Sequence, residues 1–197
     1  MPLPLPIRVE SERVQTRPLD AADIEDLLLA NGDDEVTRFL PYASWRSVDD
    51  GMAWLERMQK LESAGTGTQL VVVERASGKA IGTCLLFRYE EASARAELGY
   101  VLARRCWGRG YLLEALSALI SQLFGSRALR RLEAEVNPDN VASCRLLEHL
   151  GFQNEGLLRQ RWTGKGASYD TRFYGLLADE WPAAPEPRAA VRHAAQR

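Results

Sequence analysis

A short run of arginines and glycines, RRCWGRGY at residues 104–111, constrains this chain more than any other feature. Strand-forming residues precede it at 94–102 (ARAELGYVL), and apolar residues recur at helical spacing after Gly110. Glycines let a chain turn tightly and bring its N–H groups close to a ligand, and a helix N-terminus presents unsatisfied donors with partial positive charge. The run therefore predicts a strand-to-helix turn that binds a polyanion such as a pyrophosphate.

Three arginines in this run, Arg104, Arg105 and Arg109, could neutralise a diphosphate through charge-assisted hydrogen bonds. An alternative interpretation is that the glycines only make the turn and the arginines only face solvent. A Walker loop is excluded because no Gly-Lys-Ser/Thr follows, and a dinucleotide fingerprint is disfavoured because the loop comes after three consecutive strands. These two nucleotide-binding motifs are thus less well supported than the general prediction of a polyanion.

The rest of the chain reads as an α/β domain with a mixed sheet. Apolar periodicity and turn residues predict four helices, two before the main sheet, one beginning after Gly110 and one ending at His149. The helix after Gly110 joins two strands as a right-handed βαβ crossover. The predicted strands are 13–19, 69–74, 80–89, 94–102, 132–136, 153–162 and 168–177, and Asp20 and Ser47 are the predicted caps of the first two helices.

Composition excludes several classes of protein. The 197 residues, 46% hydrophobic and 26% charged, suit one globular domain with a buried core. A net charge of -2 gives no general attraction to nucleic acid, and no stretch approaches the ~18 apolar residues of a membrane span. Three widely spaced cysteines and two histidines match neither a disulfide framework nor a metal site. We expect a cytoplasmic protein without a metal, without direct nucleic-acid binding and without membrane contact.

Two segments resemble a known family. AELGYVLARRCWGRGYLLEAL at 96–116 and VNPDNVASCRLLEHLGFQNEG at 136–156 are similar to the coenzyme-binding core of the GNAT (GCN5-related N-acetyltransferase) superfamily. Within it they most resemble the RimJ/RimL type of ribosomal-protein N-terminal acetyltransferase, with further support from Asp170, Tyr174 and the Glu180-Trp181 ending. The resemblance implies a GNAT domain at 13–181, after an N-terminal extension at 1–12. The resemblance also implies a mostly antiparallel sheet splayed at one parallel pair, with helices on both faces. The end of the chain is rich in proline and alanine without a periodic apolar face, which predicts a flexible tail at 182–197.

The same resemblance implies that acetyl-CoA is the cosubstrate. Its pantetheine arm would bond the backbone of three residues at the end of a strand, and its pyrophosphate would lie on the arginine-glycine run. Asn137, Asn140 and Ser143 would face the pantetheine arm and thioester, although the two asparagines could instead only cap their helix. The implied contacts in the first two regions are Val101, Leu102, Ala103, Arg105, Trp107, Gly108, Arg109, Gly110 and Tyr111.

Two residues are candidate catalysts by the same resemblance. Glu97 is the general base in this interpretation, and its alternative role is an ordinary cross-strand ion pair. Many superfamily members carry a tyrosine as the acid for the departing thiolate, but Leu147 stands at that position here. Ser143 or a water would replace it. A cysteine nucleophile at Cys106 or Cys144 is disfavoured because no histidine motif lies beside either.

The acceptor is the least determined partner. The first two helices and the last hairpin would form its walls, with Tyr42, Trp45, Trp162 and Tyr169 as candidate contacts. The favoured reaction is acetyl transfer to a primary amine, at the N-terminal α-amine of a protein or peptide. The alternatives are a small-molecule amine such as a polyamine, an amino acid or an antibiotic, and a non-catalytic acyl-CoA-binding module. A homodimer is compatible with each of these.

Overall fold

The computed structural model describes residues 8–182, which form one eight-stranded sheet in the order β1-β2-β3-β4-β5-β6-β8-β7. All seven predicted strands and all four predicted helices are present within it. The strands are β1 (Val9–Glu10), β2 (Val14–Pro18), β3 (Gly67–Glu74), β4 (Ala80–Glu90), β5 (Arg95–Leu102), β6 (Arg131–Val136), β7 (Gln153–Gly164) and β8 (Ala167–Leu177). The helices are α1 (Ile24–Asn31), α2 (Asp34–Thr37), α3 (Val48–Ser63), α4 (Tyr111–Gly125) and α5 (Val141–His149), with short 3-10 turns at Ala21–Asp23 and Arg104–Cys106.

One pair of neighbouring strands, β5 and β6, is parallel, and α4 connects them. Their pairing covers only three positions, from Arg95 opposite Arg131 to Glu97 opposite Glu133. Both strands continue beyond this point, β5 to Leu102 and β6 to Val136, without pairing to each other. The prediction of a mixed sheet splayed at one parallel pair is confirmed.

Helices pack on both faces of the sheet, because side chains alternate along each strand. In β3, Leu70 and Val72 belong to the apolar cluster that contains α4 and α5, whereas Val71 and Val73 belong to the cluster that contains α1 and α3. We call these the α4/α5 face and the α1/α3 face. The prediction of helices on both faces is confirmed.

The helix starts follow from side-chain caps. Asp20 accepts from Ala22 N at 2.9 Å and caps the 3-10 turn that leads into α1, while Ser47 and Asp50 form a capping box at the start of α3. Both residues are the caps predicted from the sequence. Among residues 8–182, no helix has the length and apolar character needed to cross a bilayer.

Two short elements were not predicted, the four-residue helix α2 and the two-residue strand β1. Strand β1 lies inside the predicted extension 1–12, where it pairs with β2 through Val9 opposite Thr16. Part of that extension is therefore built into the sheet. The predicted tail lies outside the described residues apart from Pro182, and the domain boundaries remain predictions.

Candidate active site

The arginine-glycine run folds as a turn between β5 and α4. Gly108 and Gly110 have φ values of 68° and 76°, in the left-handed region that only glycine adopts without strain. No atom lies within 4 Å of the position that a Cβ on Gly108 would occupy. Gly110 is the N-cap of α4, and the first turn of that helix leaves N–H groups without intrahelical acceptors. The turn therefore exposes backbone donors at the positive end of a helix.

The arginines of the turn are exposed and differently placed. Arg104 lies 3.7 Å from Asp33, and the Arg109 guanidinium stacks over the Tyr111 ring at 5.1 Å. Arg105 lies within electrostatic reach of Glu74, whose pKa is lowered mainly by a hydrogen bond from Tyr111. A groove of about 570 Å³ adjoins the turn. It is lined by Leu29, Asp33, Ala103, Arg104 and Arg105.

Arg13, which lies before β2, forms hydrogen bonds that hold the turn and the start of α4 together. Its Nη1 donates to the Arg109 carbonyl at 2.9 Å, and its Nε donates to Glu114 Oε2 at 2.6 Å. Glu114 lies in the first turn of α4, where its charge would otherwise oppose a bound anion. Pairing with Arg13 neutralises that carboxylate. Tyr111 is fixed in turn by its hydroxyl, which donates to Glu74 at 2.6 Å.

The backbone of β5 offers unpaired groups at alternate positions only. Ala103 N donates to Ile81 O of β4 at 2.8 Å, and Val101 pairs with Thr83 of the same strand. Because alternate residues direct their peptide groups to opposite sides, those of Tyr100 and Leu102 lie toward the gap between β5 and β6. Val101 and Ala103 were therefore wrong as backbone partners of a pantetheine arm. Leu102 remains a predicted backbone partner of the pantetheine arm, and its carbonyl also accepts from Trp107 Nε1 at 2.8 Å.

Ser143 lies in the first turn of α5, close to the gap. Its N–H donates to the Asn140 side chain at 3.2 Å, and the Asn137 side chain accepts from Asp139 N at 2.9 Å. Asn140 therefore caps α5, which is the alternative role considered from the sequence, whereas Asn137 stabilises the turn before that helix. The Ser143 hydroxyl lies 2.6 Å from the Tyr100 hydroxyl. Sequence reasoning missed Tyr100, whose pKa is raised by burial so that it stays protonated.

Glu97 is buried where the pairing of β5 and β6 ends, with 6% of its surface exposed. Its Oε2 accepts from Arg88 Nη1 at 2.7 Å. Burial raises the pKa of Glu97, while the Arg88 charge acts in the opposite direction. A carboxylate with a raised pKa is a better proton acceptor than an ordinary glutamate. Glu97 also makes an ion pair with Arg88, which is the alternative role considered from the sequence, and the general base remains a prediction.

A second buried carboxylate, Glu135 of β6, lies beside the first. Arg88 Nη1 is 3.3 Å from its Oε1, Arg161 Nη2 is 2.9 Å from the same atom, and Trp162 Nε1 donates to its Oε2 at 2.6 Å. Burial opposes its ionisation, but these donors outweigh burial and hold the pKa of Glu135 below its usual range. We call Arg88, Glu97, Glu135, Arg161 and Trp162 the carboxylate cluster.

The proposed acid and base lie on opposite faces of the sheet. Ala96, Leu98 and Leu102 of β5 pack into the α4/α5 face, as does α5 with Ser143 and its partner Tyr100. Alternation places Glu97 on the α1/α3 face. The gap beyond the last β5–β6 pair connects the two faces. A thioester in that gap could meet an acceptor from one face and a proton donor from the other.

The four predicted acceptor contacts have different environments. Trp45 is only 4% exposed and packs against Trp54 at 5.3 Å between ring centroids, so it is a core residue and was wrong as a wall residue. Tyr42 donates to Asn31 Oδ1 at 2.9 Å. Trp162 is 40% exposed within the carboxylate cluster and pairs across the hairpin with Tyr169. All three cysteines are buried, and among residues 8–182 no group of metal-ligating side chains is present.

Comparisons with known proteins agree with this geometry. The chain is 33% identical over 171 residues to the uncharacterized N-acetyltransferase p20 of Bacillus licheniformis, covering 87% of this chain and 96% of that protein. It is 33% identical over 99 residues to the ribosomal-protein-serine acetyltransferase of Escherichia coli, covering 50% and 55%.

Solved structures show the same fold. A GCN5-related N-acetyltransferase from Brucella melitensis superposes with a TM-score of 0.83 at 27% identity, over 92% of this chain and 83% of that one. Mycobacterium smegmatis RimJ, solved with CoA-disulfide, superposes with a TM-score of 0.80 at 24% identity, over 89% of each chain. The model of the acetyltransferase (GNAT) domain matches residues 13–153. The chain therefore belongs to the GNAT family and is an acetyl-CoA-dependent N-acetyltransferase.

Proposed function

We propose that this enzyme acetylates the N-terminal α-amine of a protein or peptide by direct attack of the amine on the thioester of acetyl-CoA. The observation that carries the proposal is the buried Glu97 carboxylate at the point where β5 and β6 separate. Direct transfer needs a base for the amine and a donor for the departing thiolate, and it needs no covalent intermediate on the protein. Glu97 supplies the base and Ser143 the donor.

The acidity of the acceptor's own ammonium group favours an α-amine over a lysine-type amine. An α-ammonium has a pKa of about 7.7–8.0, whereas a lysine-type ammonium has one of about 10.4. Moving a proton from the first to a carboxylate with a raised pKa is therefore easier by roughly two to three pKa units. Polyamines and lysine side chains would therefore be harder to deprotonate at neutral pH.

The charge of the acceptor face supports the same choice. Glu97 and Glu135 are paired with Arg88 and Arg161, and Glu133 is paired with Arg95 at 2.8 Å. A polycation would find these carboxylates already neutralised. The similarity to a ribosomal-protein-serine acetyltransferase over half of the chain also supports a protein acceptor. Tyr42, Trp162 and Tyr169 are the proposed acceptor contacts.

On the opposite face, the enzyme's own groups are proposed to hold the cosubstrate. The N–H groups of Gly108 and Gly110 and the first turn of α4 would bind the pyrophosphate, and the peptide groups of Leu102 and Tyr100 would bond the pantetheine amides. The Ser143 hydroxyl, held by Tyr100, would protonate the thiolate. Further proposed contacts are Arg105, Trp107, Arg109, Tyr111, Asn137 and Asn140.

A coenzyme A release assay tests the function. The enzyme and acetyl-CoA are mixed with N-terminal peptides, polyamines or aminoglycosides, and the acetylated position is located by mass spectrometry. The proposal expects turnover on peptides, with the label on the α-amine. Turnover only on polyamines or aminoglycosides would support the small-molecule alternative. Tight acetyl-CoA binding without turnover on any amine would support a non-catalytic module.

A further inference from the structure

The carboxylate cluster contains an arginine whose role the family assignment does not supply. Arg88 lies between two buried carboxylates, 2.7 Å from Glu97 Oε2 and 3.3 Å from Glu135 Oε1. Its own side chain is 43% exposed, whereas those of Glu97 and Glu135 are 7% and 4% exposed. One cation at the surface thus bridges two anions beneath it.

The backbone is distorted at the position that places Arg88 there. Phe87 pairs with Glu97 across β4 and β5, so a regular strand would direct the next residue, Arg88, to the opposite face. Instead the register shifts between Phe87 and Glu90, and Arg88 has a φ of 52°. A non-glycine residue in this region is strained, and bulges of this kind re-aim side chains beside functional sites. The distortion turns the Arg88 side chain onto the face of Glu97.

Neighbouring rings hold the guanidinium in place. The Arg88 Cζ lies 5.5 Å from the Phe87 ring centroid and 5.4 Å from the Trp162 ring centroid. A second distortion lies in β7, where Gln160 has a φ of 48° within the register shift before Trp162. The two strands that carry the arginines of the cluster, β4 with Arg88 and β7 with Arg161, are therefore both irregular beside those residues.

We propose that Arg88 is a positioning residue for Glu97, holding Oε2 so that Oε1 is left for the acceptor amine and keeping the carboxylate ionised beside Glu135. This inference rests on the proposed function, in which Glu97 is the base. The inference also explains the strained bulge in β4. Packing does not explain this bulge, because the redirected Arg88 side chain remains at the surface.

The charges around Glu97 determine how its pKa would change if Arg88 were removed. Arg88 lies on β4, Glu133 and Glu135 lie on β6, and Arg161 of β7 acts on Glu97 through space. Arg95 of β5 pairs with Glu133. Burial and the two β6 carboxylates would all remain without Arg88, and each raises the pKa of Glu97. The acidic limb of the pH profile would then move to higher pH, because activity requires ionised Glu97.

The test is the pH dependence of kcat with acetyl-CoA and a peptide acceptor both saturating, which reports the groups of the bound complex, in wild type, Arg88→Gln and Arg88→Lys. An opposite charge within about 4–6 Å lowers a carboxyl pKa by about 1–3 units, so Arg88→Gln should move the acidic limb up by about one unit or more. Loss of positioning should also lower its alkaline plateau, and Arg88→Lys should restore the limb. The matched control is Arg95→Gln, which removes a charge of similar exposure from the same face without touching Glu97.

An Arg88→Gln profile with a lower plateau and an unmoved limb would overturn the inference, since a merely structural arginine predicts that result. Equal limb shifts in Arg88→Gln and Arg95→Gln would overturn it as well. If Arg88→Gln does not fold, Arg88→Lys decides alone. Because lysine keeps the positive charge, an acidic limb that moves up by about one unit or more in Arg88→Lys would contradict a charge effect. Wild-type turnover in Glu97→Gln would instead refute the base assignment, which separates the two failures.

Discussion

The two faces of the sheet differ in how their functional groups are assembled. On the α4/α5 face, the proposed cosubstrate site uses mainly backbone groups from one contiguous run, with α5 contributing Ser143. On the α1/α3 face, the carboxylate cluster uses side chains from β4, β5, β6 and β7. The first site depends on local conformation and the second on long-range register. Substitutions should therefore separate binding of acetyl-CoA from handling of the acceptor.

The largest effect on acetyl-CoA affinity is expected from Gly110→Val. A β-branched residue at a φ of 76° is strained, and its Cβ would lie 3.4 Å from Arg13 Nη2. Misaligned amides at the start of α4 should raise the Kd for acetyl-CoA about 10- to 100-fold, equivalent to roughly 1.4–2.8 kcal/mol. Isothermal titration calorimetry measures this.

Gly166→Val is the matched control away from the arginine-glycine run. Gly166 has a φ of 80° in the β7–β8 turn, with no atom within 4 Å of its Cβ position. The same strain there should lower stability without changing acetyl-CoA affinity. Equal weakening in both variants would show that general destabilisation, and not the helix terminus, controls binding.

A smaller effect is expected at the hydrogen bond between Tyr100 and Ser143. Ser143→Ala should lower kcat about tenfold. This is less than the usual contribution of about 10²- to 10⁴-fold from a general acid, because a water can replace the hydroxyl. Tyr100→Phe should lower it less, and the double variant should match Ser143→Ala, since Tyr100 acts through Ser143. Single-turnover rates at saturating acetyl-CoA measure this cycle. Additive losses would place Tyr100 in a separate role.

The smallest effect concerns stability and distinguishes Glu97 from Glu135. Burial raises the folded pKa of Glu97, so its stabilising contribution is full below the ordinary carboxyl pKa and is lost as pH rises through the folded value. Glu135 has a lowered pKa, so its contribution is present above the ordinary value and is lost as pH falls through the folded value. At pH 7, Glu97→Gln should therefore leave Tm unchanged or raise it.

Glu135→Gln should instead destabilise the protein at pH 7 by about 1–2 kcal/mol, because it weakens hydrogen bonds from charged donors. That corresponds to a Tm decrease of roughly 2–8 °C for a chain of this size. The difference between the two variants should shrink toward pH 4. Calorimetry over this pH range measures it, and a pH-independent difference would contradict the assigned pKa directions.

The contrast between the faces also explains what could be predicted from the sequence. Gly108, Gly110 and the apolar spacing of α4 are local signals, so the turn and its helix were predicted correctly. The bonding direction of Val101 and Ala103 depends on their register with β4, which periodicity does not determine. Strand β1 and helix α2 are too short to produce a periodic pattern.

The carboxylate cluster could not be found in this way. Simple alternation places Arg88 on the wrong face, and only the bulge in β4 brings it to Glu97. Glu135 of β6 and Trp162 of β7 meet across the intervening strand β8, an order of strands that the sequence does not reveal. Trp45 follows an irregular segment with no period to indicate which way it faces, and it proved to be core.

The most direct test of this account compares Glu97→Gln with wild type in coenzyme A release at saturating acetyl-CoA, using a peptide acceptor that wild type acetylates. Loss of the general base should lower kcat by about 10²- to 10⁴-fold, while the Kd for acetyl-CoA stays at the wild-type value. Wild-type turnover in Glu97→Gln, or a loss of activity that follows weaker acetyl-CoA binding, would contradict the assignment of the base to the α1/α3 face.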